Sequence, residues 1–175
     1  LIQNQKCKKI LLMGVKSLSS EVEERTSLFF DAIEKHGIAK DSVTVLKGKF
    51  DYPSAKEQLK NYYQENNSFD FDTIVSLNDD MAFACIDFCR EIGLKVPEDV
   101  IVSGFDDLPR SSFSNLPLTT ISQRISEQGY QAAQCVIDQI NGIKVPLVQK
   151  IQASVVLRAS TERIKYDESQ SNQSE

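Results

Sequence analysis

The chain has 175 residues, 41% hydrophobic and 26% charged, enough for one domain with its own core or for part of a larger one. Its net charge of -5, with basic residues scattered rather than striped, argues against a general affinity for nucleic acid, whose phosphates call for a surplus of Lys and Arg. No apolar run approaches the length of a membrane span and no signal peptide opens the chain; the abrupt start "LIQNQKCKKILLMG" reads as a cut within something larger.

Apolar runs alternate with helical patterns along the chain. "KILLMGV" (Lys9 to Val15) predicts a buried strand. A helix follows from about Ser20, with a capping box between Ser20 and Glu23, an apolar face of Leu28, Phe29, Ala32 and Ile33, and Gly37 as its stop. "SVTVL" (Ser42 to Leu46) predicts the second strand, and Pro53 opens a helix that carries Leu59, Tyr62 and Tyr63. "DTIVSL" (Asp72 to Leu77) is the third strand. Asn78 suits the N-cap of the next helix, which packs Ala82, Cys85, Ile86, Cys89 and Ile92 and stops at Gly93. "VIVSGF" (Val100 to Phe105) is the fourth strand. A helix from about Ser126 to Asn141 lines up Ala133, Val136, Ile137 and Ile140, and "LVQKIQASVVLR" (Leu147 to Arg158) predicts a final strand or a bent strand pair. Short continuous apolar strands between helices predict an α/β fold, a parallel sheet flanked by helices on both faces. The stretch "YDESQSNQSE" predicts a disordered tail or linker.

Enzyme chemistry lacks its parts. There is no phosphate-binding P-loop and no G-x-G-x-x-G dinucleotide turn. The single histidine, His36, falls in the last turn of a helix, where a cationic side chain suits the dipole. Paired aspartates suit a magnesium-holding phosphoacceptor domain only if an acidic pair follows the first strand, and "MGVKS" has none. Cys85 and Cys89 share a helical face without a neighbouring Cys or His; they read as buried, reduced thiols rather than metal ligands, and point to a reducing, cytoplasmic compartment. No cofactor is expected.

In open parallel sheets, ligands bind beyond the carboxyl ends of the strands. Ser17 and Arg25 follow the first strand, Lys49 and Phe50 the second, Asn78 and Asp79 the third, and Asp106 and Asp107 the fourth. An ionised Asp accepts from hydroxyl or amino donors, Asn both donates and accepts, Arg clamps an oxygen pair, and Phe offers a face to a ring. Such a set suits a small polar ligand. Spacing alone leaves open the plainer alternative, in which Asn78 only caps a helix and the Asp pair is a turn.

The stretches "SLNDDMAFACIDFCREIGLKVPEDVIVSGFDD" and "LPLTTISQ", followed by "GYQAA" and "VVLRAST", resemble in order and separation the second half of the sensor region of lactose/galactose-repressor-type regulators. That region has the periplasmic sugar-binding protein fold, and the match covers nearly all of Cys7 to Thr161. The resemblance implies that Arg25 binds effector, that Phe50 stacks on it, that Asn78 and Asp106 bind its hydroxyls or base edges, and that Gln123, on a crossover strand, stands near the cleft. It further implies a ligand-binding lobe over 1–120 and 147–161, a crossover and helix over 121–146 that belong to a first lobe missing here, and a tail over 162–175. The implied function is an effector-sensing fragment of a bacterial transcription regulator, allosteric through lobe closure. It would bind a sugar or purine-like ligand, form a homodimer, and reach DNA only through a reader domain absent from this chain. The runner-up is the same sensor ahead of a histidine kinase or diguanylate cyclase. The orphaned helix is expected to pack on a second copy or to refold onto this lobe.

Overall fold

The run "ILLMGV" forms strand β1 (Ile10–Val15), with every residue buried, as a central strand covered on both faces requires. The computed structural model describes residues 7–16 and 19–163. Strands β1, β2 (Val43–Gly48), β3 (Thr73–Ser76) and β4 (Ile101–Ser103) form one sheet in the order β2-β1-β3-β4, with all three pairings parallel. Helices α1 (Ser20–Lys35), α2 (Tyr52–Asn66) and α3 (Asp79–Glu91) make the crossovers, and α4 (Arg110–Phe113) is a single turn after β4. The expected α/β architecture is therefore observed. Crossovers of this kind are right-handed. The leftward step β1→β2 puts α1 on one face, and the rightward steps β2→β3→β4 put α2 and α3 together on the other, where they pack against each other.

Beyond the sheet, β5 (Thr120–Ser122) and β6 (Ser154–Val156) pair antiparallel, with α5 (Ile125–Ile140) between them. Parallel bridges Ser103–Thr119 and Asp106–Ser122 lay this ribbon beside the end of β4. Its root is hydrogen-bonded into the core. Thr119 N–H donates to Ser160 Oγ at 2.8 Å, and Ser160 Oγ donates to Val102 O at 2.6 Å.

Several local expectations need correction. The N-cap of α1 is Ser19, extended at φ -73°, whose Oγ accepts from Val22 N–H at 3.4 Å. Ser20 is already helical, so the Ser20–Glu23 box does not form. Of the expected face of α1, Ile33 is buried and Phe29 half-covered, but Leu28 and Ala32 are exposed; the helix buries Val22 and half-covers Phe30 as well. Only three residues of Leu147–Arg158 are strand, because β5 offers only three residues to pair with. No residue of α5 is buried, so the helix does not fold back onto this lobe. Ser17 and the tail beyond residue 163 lie outside the described residues.

The core runs between the sheet and α3, which buries nine residues including Met81, Phe88, Cys85 and Cys89. Burial pushes the Cys89 thiol up to about 12, against a smaller opposing pull from Lys56, and raises Cys85 further from reactivity. Among the described residues no group of three or more His, Cys, Asp or Glu is placed to hold a metal, and no helix is long and apolar enough to cross a membrane.

Candidate functional site

Asn78 leaves β3 in an extended conformation (φ -153°, ψ 169°) and caps α3, its Oδ1 accepting from Met81 N–H at 2.9 Å. Its Nδ2 meanwhile donates to Phe50 O at 2.9 Å, which pins the loop after β2. Capping and rim placement thus coexist in one side chain. Phe50 has φ +65°, a left-handed geometry unusual for an aromatic residue, and the residue is 37% exposed. The next residue, Asp51, caps α2 by accepting from Ser54 N–H at 2.7 Å, so the loop carrying Phe50 is held at both ends.

Arg25, half-buried in the second turn of α1, lays its guanidinium 3.9 Å from the centroid of the Phe105 ring. It donates to Leu77 O at 3.3 Å, and so spans the ends of β3 and β4. Asp106 follows Phe105 at φ +123°, a conformation that costs an L-residue about 1–3 kcal/mol and persists only where the surroundings impose it. Here they do: its N–H donates to Ile121 O at 2.9 Å, and its Oδ1 accepts from Gln123 Nε2 at 2.6 Å. Burial raises the Asp106 pKa. The Gln123 hydrogen bond opposes that shift, the Asp79 charge adds to it, Arg25 lowers it and Asp80 raises it. The five expected residues therefore gather at one rim as two hydrogen-bonded pairs, Asn78–Phe50 and Asp106–Gln123, with Arg25 set between the strand ends. Beside Asp106 opens a depression of about 540 Å³ that Ser122, Arg124 and Glu127 also line.

The second carboxylate of the pair does different work. Asp107, at φ +59°, turns to Arg158, whose Nη2 lies 2.7 Å from Asp107 Oδ1 while Nη1 donates to Leu118 O at 2.8 Å. Sequence reasoning placed Asp107 at the strand ends with Asp106 and gave Arg158 no role. Asp79, expected at the same rim, is instead fully buried and accepts from Leu108 N–H (2.8 Å), Ser111 Oγ (2.7 Å) and Thr120 Oγ1 (2.6 Å). One carboxylate thereby ties the start of α3, the loop after Asp106, α4 and β5 together. Gly104 makes room for it: a Cβ at that position would lie 2.2 Å from Asp79 Oδ1. The adjacent glycine in "SGFDD" was the available signal, but what it packs against is a tertiary fact.

A model of the periplasmic binding protein-like domain matches residues 2–161. The chain belongs to the periplasmic binding protein-like domain family. Among its relatives, the HTH-type transcriptional regulator MalR of Streptomyces coelicolor is 36% identical over 93 residues, 53% of this chain and 27% of MalR. The solved LacI-family regulator of Burkhoderia phymatum is 26% identical with a TM-score of 0.79, covering 91% of this chain and 57% of that one. A LacI-family regulator of Enterococcus faecium with bound ribose, 23% identical with a TM-score of 0.82, covers 94% and 60% and shares the fold. The resemblance to lactose-repressor-type regulators is thus upheld, and these relatives are transcription regulators, not enzymes. The chain spans 27% of the length of MalR and a little over half of the solved regulators.

Proposed function

We propose that this chain is the second-lobe half of a cytoplasmic domain that senses a small polar effector, sugar- or nucleoside-like, for a homodimeric bacterial transcription regulator whose DNA reader is a separate domain. The observation that carries the reading is Asp106: a half-buried carboxylate at a strand end, held at φ +123° and met by Gln123 from the crossover strand. Asp106 keeps its second oxygen for ligand donors, Arg25 takes an oxygen, Phe50 offers a ring face, and Asn78 fixes Phe50 while presenting its remaining N–H. The ribose held by the Enterococcus faecium regulator is a ligand of this chemistry.

Residues 1–120 and 147–161 form the lobe in this reading, and 121–146 serve a partner lobe, which fits an α5 without a single buried residue. Ligand binding between lobes would move them about the β5–β6 ribbon, and the Asp79 and Asp107–Arg158 ties would carry that movement into the rim.

Calorimetric titration of the full parent protein against pentoses, hexoses, disaccharides and nucleosides is expected to find one class that binds. Asp106→Asn is expected to weaken binding of that ligand by about 10- to 100-fold, the worth of a hydrogen bond to a charged acceptor. Unchanged affinity in that variant would remove this rim from the site.

A further inference from the structure

The two edges of the parallel sheet are finished differently. At one, β4 is met by the bridges Ser103–Thr119 and Asp106–Ser122, which lay the ribbon beside its end. At the other, β2 stands alone. It pairs with β1 over all six residues, without a bulge or a proline, and among the described residues no further strand pairs with it. Its only charged side chain, Lys47, is at the next-to-last residue. Sheet edges are usually shortened, kinked or covered, because their unpaired N–H and C=O groups offer a ladder to another strand. The ribbon that leads toward a partner lobe lies beside β4, with β3 and β1 between it and this edge.

The phase of the ladder shows which groups are unpaired. Lys16 N–H donates to Gly48 O at 3.0 Å. Alternate residues of a strand turn both backbone groups to the same side. Thr44, Leu46 and Gly48 therefore face β1, and Val43, Val45 and Lys47 face outward. The Val43 N–H is taken by Lys40 O. That leaves the C=O of Val43 and both groups of Val45 and of Lys47 along the edge.

The same three residues line a groove of about 760 Å³ between α1 and this edge. Its floor is apolar, with Val22 and Phe30 of α1 facing Val43 and Val45. Its rim is acidic. Glu23, Asp31 and Asp41 are exposed, and none of them is in an ion pair among the described residues. Of the two lysines in the lining, Lys40 is held by Glu34 at 3.2 Å, so only Lys47 is left to offset the three carboxylates.

We propose that β2 is a docking edge for an extended segment of a partner protein, added as a further strand, with apolar side chains over Val43 and Val45 and basic side chains at the Glu23, Asp31 and Asp41 rim. A strand added there lies about 4.8 Å out from β2, which brings its α1-side residues into the groove. Backbone pairing supplies affinity, and the alternate side chains that face α1 supply selectivity. An acidic segment meets like charge at the rim and is rejected. No residue of the effector rim belongs to this groove, so the inference does not depend on the ligand-sensing reading.

The probe is the peptide acetyl-Arg-Thr-Val-Thr-Val-Thr-Arg-amide, whose arginines and valines share one face of a strand, compared with its counterpart carrying Glu for both arginines. Calorimetry of the full parent protein is expected to find that the arginine peptide binds, and that the glutamate peptide binds at least about tenfold more weakly. Hydrogen exchange at single amides is the second readout. The Val45 and Lys47 amides are expected to exchange readily without peptide and at least about tenfold more slowly at saturation, while the Leu46 amide, already paired with β1, changes little. Asp31→Lys combined with Asp41→Lys, both at exposed positions, is expected to abolish the preference for the arginine peptide. Absence of binding by the arginine peptide overturns the inference, as does equal affinity for the two peptides or a preference that survives the double variant. So does binding that leaves Val45 and Lys47 exchange unchanged. Slow exchange of those two amides in the peptide-free protein overturns it as well, since another segment then already covers the edge.

Discussion

Replacing Asp79 with Ala tests whether the rim and the ribbon are one mechanical unit. The carboxylate is fully buried and accepts three hydrogen bonds between 2.6 and 2.8 Å. Hydrogen bonds to a charged group are worth about 1.5–3 kcal/mol each. The Ser111 and Thr120 hydroxyls can rotate toward other acceptors, but the Leu108 N–H is fixed by the backbone. Removing the charge also removes its desolvation cost, which offsets part of the loss. The net expectation is about 3–5 kcal/mol, or roughly 10 °C in Tm at about 2–4 °C per kcal/mol for a chain of this size. Urea and thermal denaturation of the purified chain measure it. In hydrogen exchange, the amides of Leu108 and of Thr120 to Ser122 are expected to lose protection together, while those of β1 keep theirs. A loss below about 1 kcal/mol, or exchange that spreads evenly over the sheet, would refute the reasoning that this side chain holds four segments in register.

Gly104→Ala puts a Cβ 2.2 Å from the same carboxylate oxygen and 3.0 Å from Leu118 Cδ2, and is expected to cost at least about 1–3 kcal/mol in the urea midpoint or to yield no folded protein. Arg158→Met removes two hydrogen bonds and leaves Asp107 without its cation; a loss of about 2–4 kcal/mol is expected, with the 7–16 and 19–100 amides little affected. For Asp106 the sign of the pH effect follows from its raised pKa. Its contribution to stability is full below the ordinary carboxylate value and is lost as pH rises through the raised folded value, so Asp106→Asn is expected to match or exceed the parent's Tm at pH 7 while losing ligand affinity. Ligand binding should conversely fade as pH falls through that raised value. Ellman titration of the native chain at pH 8 is expected to find Cys135, which is half-exposed, reacting ahead of buried Cys7, Cys85 and Cys89, which should react only after guanidinium unfolding.

The parts of the fold legible in the sequence are those that local chemistry decides. Asn78 was readable as an N-cap because a short acceptor before an apolar helical pattern has few other uses, and the observed 2.9 Å bond to Met81 bears this out. Serines at 19 and 20 are equivalent on paper, and only the backbone angles select Ser19. The misjudged face of α1 and the uncovered face of α5 share a cause. Periodicity shows which residues want burial, but not whether the chain supplies a surface to bury them, and Leu28 and Ile137 find none here. Asp79 was placed with Asn78 at the carboxyl end of the third strand, among residues suited to a ligand. Its burial and its three donors come from residues 29 to 41 positions away, a separation at which spacing carries no information.

If the proposed rim binds the effector, the double engagement of Asn78 constrains how this protein can change its ligand. The side chain starts α3 with one atom and sets the carbonyl of Phe50 with the other, so a substitution there that tunes recognition also perturbs a helix start and an aromatic platform. Asp106 is bound in a similar way by its backbone angle. In that reading, new specificities are reached most cheaply through a position with a free hand, such as the exposed ring at 50. The rim divides into a fixed grammar of two residues and a vocabulary that can drift around them.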